Sequence, residues 1–212
     1  MKLISSRSLL VATATAFALA LFLSAAAAPP RQQAAPATSP DIVLALDPTQ
    51  SKVHFTVDTT LHTVHGTFNI KSGSVRFDPQ TGKASGEIIV FATSGDSGST
   101  GRDTRMHEEI LETEKFPDAV FHPTQIEGKV SPSGGCDVKL HGTLTLHGAD
   151  HDLTALVHAE LAGDHWKGTA KFEVPHVAWG IKDPSNFLLK VKHVVNVDLE
   201  MSGTMQAPAA AP

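Results

Sequence analysis

The chain has 212 residues and carries 17 Lys+Arg against 22 Asp+Glu, a formal charge of −5 with histidine neutral. That balance excludes a basic nucleic-acid footprint, so DNA and RNA are not expected partners. One cysteine, Cys136, rules out an internal disulfide and a four-thiolate zinc site, while 16 Gly and 13 Pro point to many turns in a single domain.

The first segment, residues 1–28, reads as a secretory signal peptide. Lys2 and Arg7 precede an apolar stretch from Leu9 to Leu23, and Ser24 to Ala28 offers small-residue cleavage sites. The apolar core, about fifteen residues, is short beside the roughly 20 that a membrane span needs. The expected mature protein is therefore exported, periplasmic or secreted, with no stable membrane span after cleavage. Residues 29–40 (PPRQQAAPATSP) form an expected Pro/Ala-rich disordered linker, and residues 207–212 (APAAAP) a disordered tail. The folded domain is expected over 41–206.

Within it the dominant period is two, the alternation of half-buried strands. Val53, Phe55 and Val57 alternate with polar residues, then Val64, Gly66, Phe68 and Ile70. Val75 and Phe77 follow, before a turn at Asp78–Gly82. The run from Gly86 to Ala92 is continuously apolar and leaves its inward parity open. Asp103–Glu114 is rich in helix formers, with Met106, Ile110 and Leu111 at helical spacing; Thr100 or Asp103 is a candidate cap. Strand patterns resume with Leu140, Leu144 and Leu146, then Leu153, Val157 and Leu161, then Trp166, Ala170, Phe172 and Val174. Val191 to Met201 is expected as the longest strand. About eight or nine strands and one short helix predict an antiparallel barrel or sandwich, and periodicity does not choose between them.

Three motifs carry candidate chemistry. Gly95-Asp96-Ser97-Gly98 is similar to the nucleophile loop of chymotrypsin-like proteases, with His54, His62 or His65 and Asp78 upstream. The glycine and proline that follow that loop in those proteases are missing. His107-Glu108 begins a zinc signature that Leu111 breaks, since the second histidine belongs there. His141 and His147 would share one strand face about 20 Å apart, at 3.3 Å per residue, too far to share a metal. With 12 histidines in the chain, a periplasmic metal-binding or pH-responsive protein is the alternative function, and a hydrolase at Ser97 the weaker one. No cofactor, catalytic residue or metal ligand is assigned. Arg102 and Asp103 are read mainly as a structural brace at the helix start.

Several motifs in order resemble the YceI-like family of exported bacterial proteins. They are Asp47-Pro48-Thr49-Gln50-Ser51-Lys52-Val53-His54-Phe55, Val64-His65-Gly66-Thr67-Phe68 and Arg102-Asp103-Thr104-Arg105-Met106. After the helix come Lys115-Phe116-Pro117 and Phe121, then His141 to Gly148 (HGTLTLHG) and Trp179-Gly180-Ile181. The resemblance runs from Asp47 to about Met201. It implies an all-β, eight-stranded antiparallel lipocalin-like barrel, with one short helix after the fourth or fifth strand. It also implies a non-enzymatic protein whose interior holds a long-chain isoprenoid or other lipid. On that basis Phe55, Val57, Phe68, Phe121, Leu144, Leu146, Phe172, Trp179 and Val195 are the expected ligand-binding residues. The chain departs from the family at His176-Val177-Ala178-Trp179-Gly180, where many members have Arg-x-Asp-Phe-Gly, and its first hairpin, Thr59–Thr63, is shorter. A homodimer is left open, since barrel closure removes edges but does not forbid pairing.

Overall fold

The computed structural model describes residues 41–130 and 134–206. The signal-peptide, linker and tail assignments (1–28, 29–40 and 207–212) lie outside the described residues. Nine strands form: β1 (Ile42–Leu46), β2 (Lys52–Asp58), β3 (Thr63–Phe77), β4 (Ala84–Asp96), β5 (Asp118–Glu127), β6 (Gly134–Leu146), β7 (Ala149–Ala162), β8 (His165–Val174) and β9 (Val195–Gln206). All pairings are antiparallel, in the order β3-β2-β9-β8-β7-β6-β5-β4, and β4 returns to β3. Eight strands thus close a lipocalin-like barrel, which abolishes sheet edges around the ring.

β1 stands outside that ring of eight. It pairs with β3 at Leu44↔Val75 and with β9 at Leu44↔Met205, filling the gap between them where β2 does not reach. The turn joining β1 to β2 explains the Asp47–Ser51 motif. The Asp47 carboxylate accepts from the Thr49 backbone N–H (2.8 Å) and hydroxyl (2.7 Å), and the Asp47 N–H donates to the Ser202 carbonyl (2.8 Å). A short acceptor side chain bonding two residues ahead is what a tight turn needs.

Alternation decides which side chains face in. In β4 the open parity resolves to Ile88, Val90 and Ala92 inward, because Phe91 is outward beneath the Lys71 ammonium, 5.2 Å from its ring centre. The two apolar runs at 64–70 and 75–77 belong to one strand, β3, and the inward parity changes from even to odd between them. The register shift between Ile70 and Ser72, where β3 advances two residues against one on β4, causes the switch. β3, with 15 residues, is the longest strand, rather than the one expected at 191–201. β9 begins only at Val195, and Val191 makes an isolated bridge to Thr59.

The helical segment is shorter than its composition predicts. α1 (Thr100–Arg105) runs into a π-helical turn at Met106–Ile110, closed by the Leu111 N–H donating to the Met106 carbonyl (2.8 Å). The segment ends at Ile110, four residues before Glu114, and Glu112 beyond it adopts a left-handed φ of 45°. The N-cap is Ser99, without a side-chain cap bond, and neither Thr100 nor Asp103 is the cap: the Asp103 carboxylate accepts from Ser97 instead. His147 likewise leaves the strand: its φ is 53° and β6 stops at Leu146, so it does not share a face with His141.

Candidate functional site: an apolar cavity with a polar rim

The barrel interior holds a cavity of about 430 Å³. Ligand pockets commonly measure roughly 300–1,000 Å³. Val53, Phe55 and Val57 from β2 line it, with Val64 and Phe68 from β3 and Leu140, Leu144 and Leu146 from β6. Phe172 and Val174 from β8 and Val195, Val197 and Leu199 from β9 complete the opposite wall. Met106, Ile110 and Leu111 also reach it, so the π turn brings all three apolar helix residues to the same cavity.

Polar side chains on the lining are confined to one end. Thr59 and His62 come from the β2–β3 turn, Ser97 from the loop after β4, Arg102 and Arg105 from α1, and His176 from the β8–β9 connection. These three connections, β2–β3, β4–β5 and β8–β9, lie at the same end of the barrel. The opposite end is made by the β3–β4, β5–β6 and β7–β8 connections and by β1. There Phe77, Leu161 and Trp166 are buried, and the Trp166 indole N–H donates to the Ala45 carbonyl at 3.2 Å. The cavity is an apolar shaft, packed at its base and polar at its mouth.

Ser97 occupies the mouth without the surroundings of a nucleophile. Its hydroxyl and backbone N–H both bond the Asp103 carboxylate, and the Arg102 guanidinium donates to its hydroxyl and its carbonyl, each at 2.7 Å. Those bonds hold Asp103 below the usual carboxylate range. No histidine is hydrogen-bonded to Ser97 among the described residues, so no base is placed to take its proton. The Arg102-Asp103 pair braces the loop entering the helix, while Arg102 itself remains on the cavity lining.

The histidines divide. His65, His122, His158 and His165 stand on the outer surface, and the Asp137 carboxylate at 2.8 Å raises the pKa of His158. Among the described residues no three His, Cys, Asp or Glu side chains gather as a metal site. His176 is 6% exposed and neither ring nitrogen has a hydrogen-bond partner; burial lowers its pKa.

Of the nine residues expected to meet a ligand, Phe55, Val57, Phe68, Phe121, Leu144, Leu146, Phe172 and Val195 all line the cavity. Trp179 does not. It sits in the turn after β8, its ring stacked on His151 at 4.1 Å and 3° between planes. Arg105, His62 and His176 escaped sequence reading as lining residues, because they lie in connections whose direction no strand period encodes.

The YceI-like domain profile matches residues 44–203, which is β1 through most of β9. The chain belongs to the YceI-like family. Solved structures agree at the level of fold. Burkholderia cenocepacia BcnA is 19% identical, with a TM-score of 0.62 over 75% of this chain and 99% of that one. A polyisoprenoid-binding domain from Saccharophagus degradans, implicated in plant cell wall breakdown, is 16% identical, with a TM-score of 0.55 over 78% and 98%. The Campylobacter jejuni YCEI protein is 18% identical, with a TM-score of 0.51 over 65% and 83%. No curated protein matches the sequence. This YceI-like barrel contains no helix long and apolar enough to cross a membrane among its described residues.

Proposed function

We propose that this YceI-like protein is an exported carrier that holds a long-chain amphiphile, of the isoprenoid class, in the shaft of its barrel. The observation that carries the reading is the polarity of the cavity: apolar along the strands, polar only at the mouth. Such a gradient suits a molecule with a hydrocarbon tail and a polar head. Burial contributes about 0.8 kcal/mol per CH₂, on the order of 4 kcal/mol per five-carbon unit, set against the cost of ordering the chain. Phe55, Val57, Phe68, Phe121, Leu144, Leu146, Phe172 and Val195 are the proposed tail contacts, and Arg102, Arg105 and His62 the proposed neighbours of the head. The polyisoprenoid-binding domain of the same fold supports the ligand class. The basic, apolar and small-residue sequence of residues 1–28 supports export. Binding without chemistry is the proposed action, since Ser97 is committed to Asp103 and Arg102.

Native and denaturing mass spectra of the protein exported by a bacterial host test this. We expect an excess mass that is lost on denaturation and extracts into organic solvent. Ala170→Phe, which places a ring on the lining, is expected to fold and lose that mass. If delipidated protein shows no saturable binding of a polyprenol, or if Ala170→Phe binds as well as the native chain, the carrier reading fails.

A further inference from the structure

Large apolar side chains are concentrated at the exposed rim of the mouth. Phe187 is 95% exposed, Leu188 81% and Leu61 74%. They are presented by built turns. The Asn186 side-chain oxygen accepts from the Leu188 and Leu189 N–H groups at 2.9 and 2.8 Å, and the Asn186 N–H donates to the Leu189 carbonyl at 2.8 Å. Leu189 consequently turns onto the cavity lining while Phe187 and Leu188 project to solvent. Leu61 stands on the adjoining loop. The Thr60 N–H donates to the Lys190 carbonyl at 2.9 Å, the Lys192 N–H to the Asp58 carbonyl at 2.8 Å, and Thr59 bridges Val191. The two loops therefore form one rim.

The loop that carries Phe187 and Leu188 is basic. Residues 184–194 contain Lys190, Lys192 and His193 and no acid. Asp58 pairs with Lys192 at 2.9 Å and Glu109 with Lys182 at 2.8 Å, Asp183 lies 3.3 Å from the His193 imidazole, and Lys190 stands outside any ion pair among the described residues. This local pattern opposes the chain's net negative charge. The other exposed large apolar residues do not join the patch. Leu156 stands on the wall in β7, and Phe91 lies under Lys71.

We propose that the barrel docks mouth-first onto an anionic phospholipid bilayer, with Phe187, Leu188 and Leu61 entering the interface and Lys190 facing lipid phosphates. Side chains on separate loop tips offer no groove of fixed shape, which a fluid bilayer tolerates better than a rigid protein partner. The cavity opens on this same rim, so a tail can pass from shaft to hydrocarbon without crossing water. That last step rests on the carrier reading; the docking does not.

The exported protein is mixed with vesicles of phosphatidylcholine plus phosphatidylglycerol, or of phosphatidylcholine alone, and floated. Binding to the anionic vesicles is expected, and the double variant Phe187→Ser, Leu188→Ser is expected to bind about ten-fold more weakly with an unchanged circular dichroism spectrum and Tm. Intact masses establish that both chains begin at the same residue. An environment-sensitive dye on Leu188→Cys should brighten and shift blue with anionic vesicles, whereas the same dye on Leu156→Cys should not; the native Cys136 is buried. Equal flotation of wild type and double variant, no vesicle binding by wild type, or equal response of the two dyes would overturn the proposal. So would a wild-type dimer that the double variant dissolves, which would assign the patch to a second copy. An extractable ligand with no docking would leave the carrier reading standing; docking without a ligand would leave this one.

Discussion

The Nε2 of His147 lies 3.0 Å from the Oε2 of Glu112, and these are the two non-glycine residues with left-handed backbone among the described residues. Left-handed conformation costs a non-glycine residue about 1–3 kcal/mol, so it persists where surrounding contacts impose it. The contacts are visible. Lys115 pairs with the other Glu112 oxygen, the Phe116 ring packs on the His147 ring at 4.7 Å, and the Lys115 and Phe116 N–H groups close onto the Glu112 carbonyl. The end of the helical segment is thereby pinned to the β6–β7 turn, 35 residues away in sequence. The pair helps hold Met106, Ile110 and Leu111 over the cavity.

A double-mutant cycle measures that pin. Glu112→Gln and His147→Gln are each expected to lower Tm, and the double variant is expected to fall no further than the worse single one. Strict additivity would show that the two residues do not act together.

Acid should loosen the same end of the barrel. Lys115, followed by His147, holds the Glu112 carboxyl below its ordinary value of 4.5; Lys192 and Thr63 do the same for Asp58, and Ser97 for Asp103. Carboxyls depressed in the folded state stabilise it fully above their unfolded values, and that stabilisation is lost as pH falls through the folded ones. Stability from these groups is expected to be level above about pH 4.5 and to decline below it. A urea midpoint series across pH measures the decline, and no loss between pH 4.5 and 2.5, roughly, would contradict it.

His176 gives a separate effect that begins at higher pH. Burial lowers its folded pKa below 6.5, so its contribution is present above the unfolded value and declines as pH falls below it. His176→Phe removes two unpartnered nitrogens. It is expected to raise stability at neutral pH by about 1–3 kcal/mol and to erase the loss that begins below pH 6.5. A variant less stable than the native chain would show that the imidazole has a polar role.

Both His-Gly-Thr motifs have a steric reason. A Cβ on Gly66 would meet the Phe55 ring at 2.3 Å and the Asp96 carbonyl at 2.6 Å. One on Gly142 would meet the His122 carbonyl at 2.4 Å and the Phe121 ring at 2.6 Å. Gly66→Ala and Gly142→Ala are each expected to cost about 1–3 kcal/mol, read from urea unfolding. Native-like stability in both would mean that the rings move aside freely.

The Ser97 loop should depend on a carboxylate. Asp103→Asn keeps the shape but weakens the bonds from the Ser97 hydroxyl and N–H, and is expected to cost about 1 kcal/mol at this half-exposed position. Stability unchanged in the variant, measured by the urea midpoint, would remove the brace from the account of the mouth.

The sequence by itself determined the inward faces of β2, β6, β7, β8 and β9. Alternation is local, so Val53-Phe55-Val57 and Phe172-Val174 disclose their buried side without knowing their partners. The ordered family motifs pointed to closure, which periodicity alone left between a barrel and a sandwich. The parity change inside β3 was not legible, because it depends on where the strand slips against β4. Only the tertiary structure decided that the inward residues leave a cavity rather than fill a core, since that depends on strand number and tilt. It also gathered His62, Arg102, Arg105 and His176 at one mouth and left Trp179 against His151. Those residues lie in connections, where no repeating period links sequence position to direction. Their meeting is set by barrel closure, which brings ends distant in sequence to the same rim.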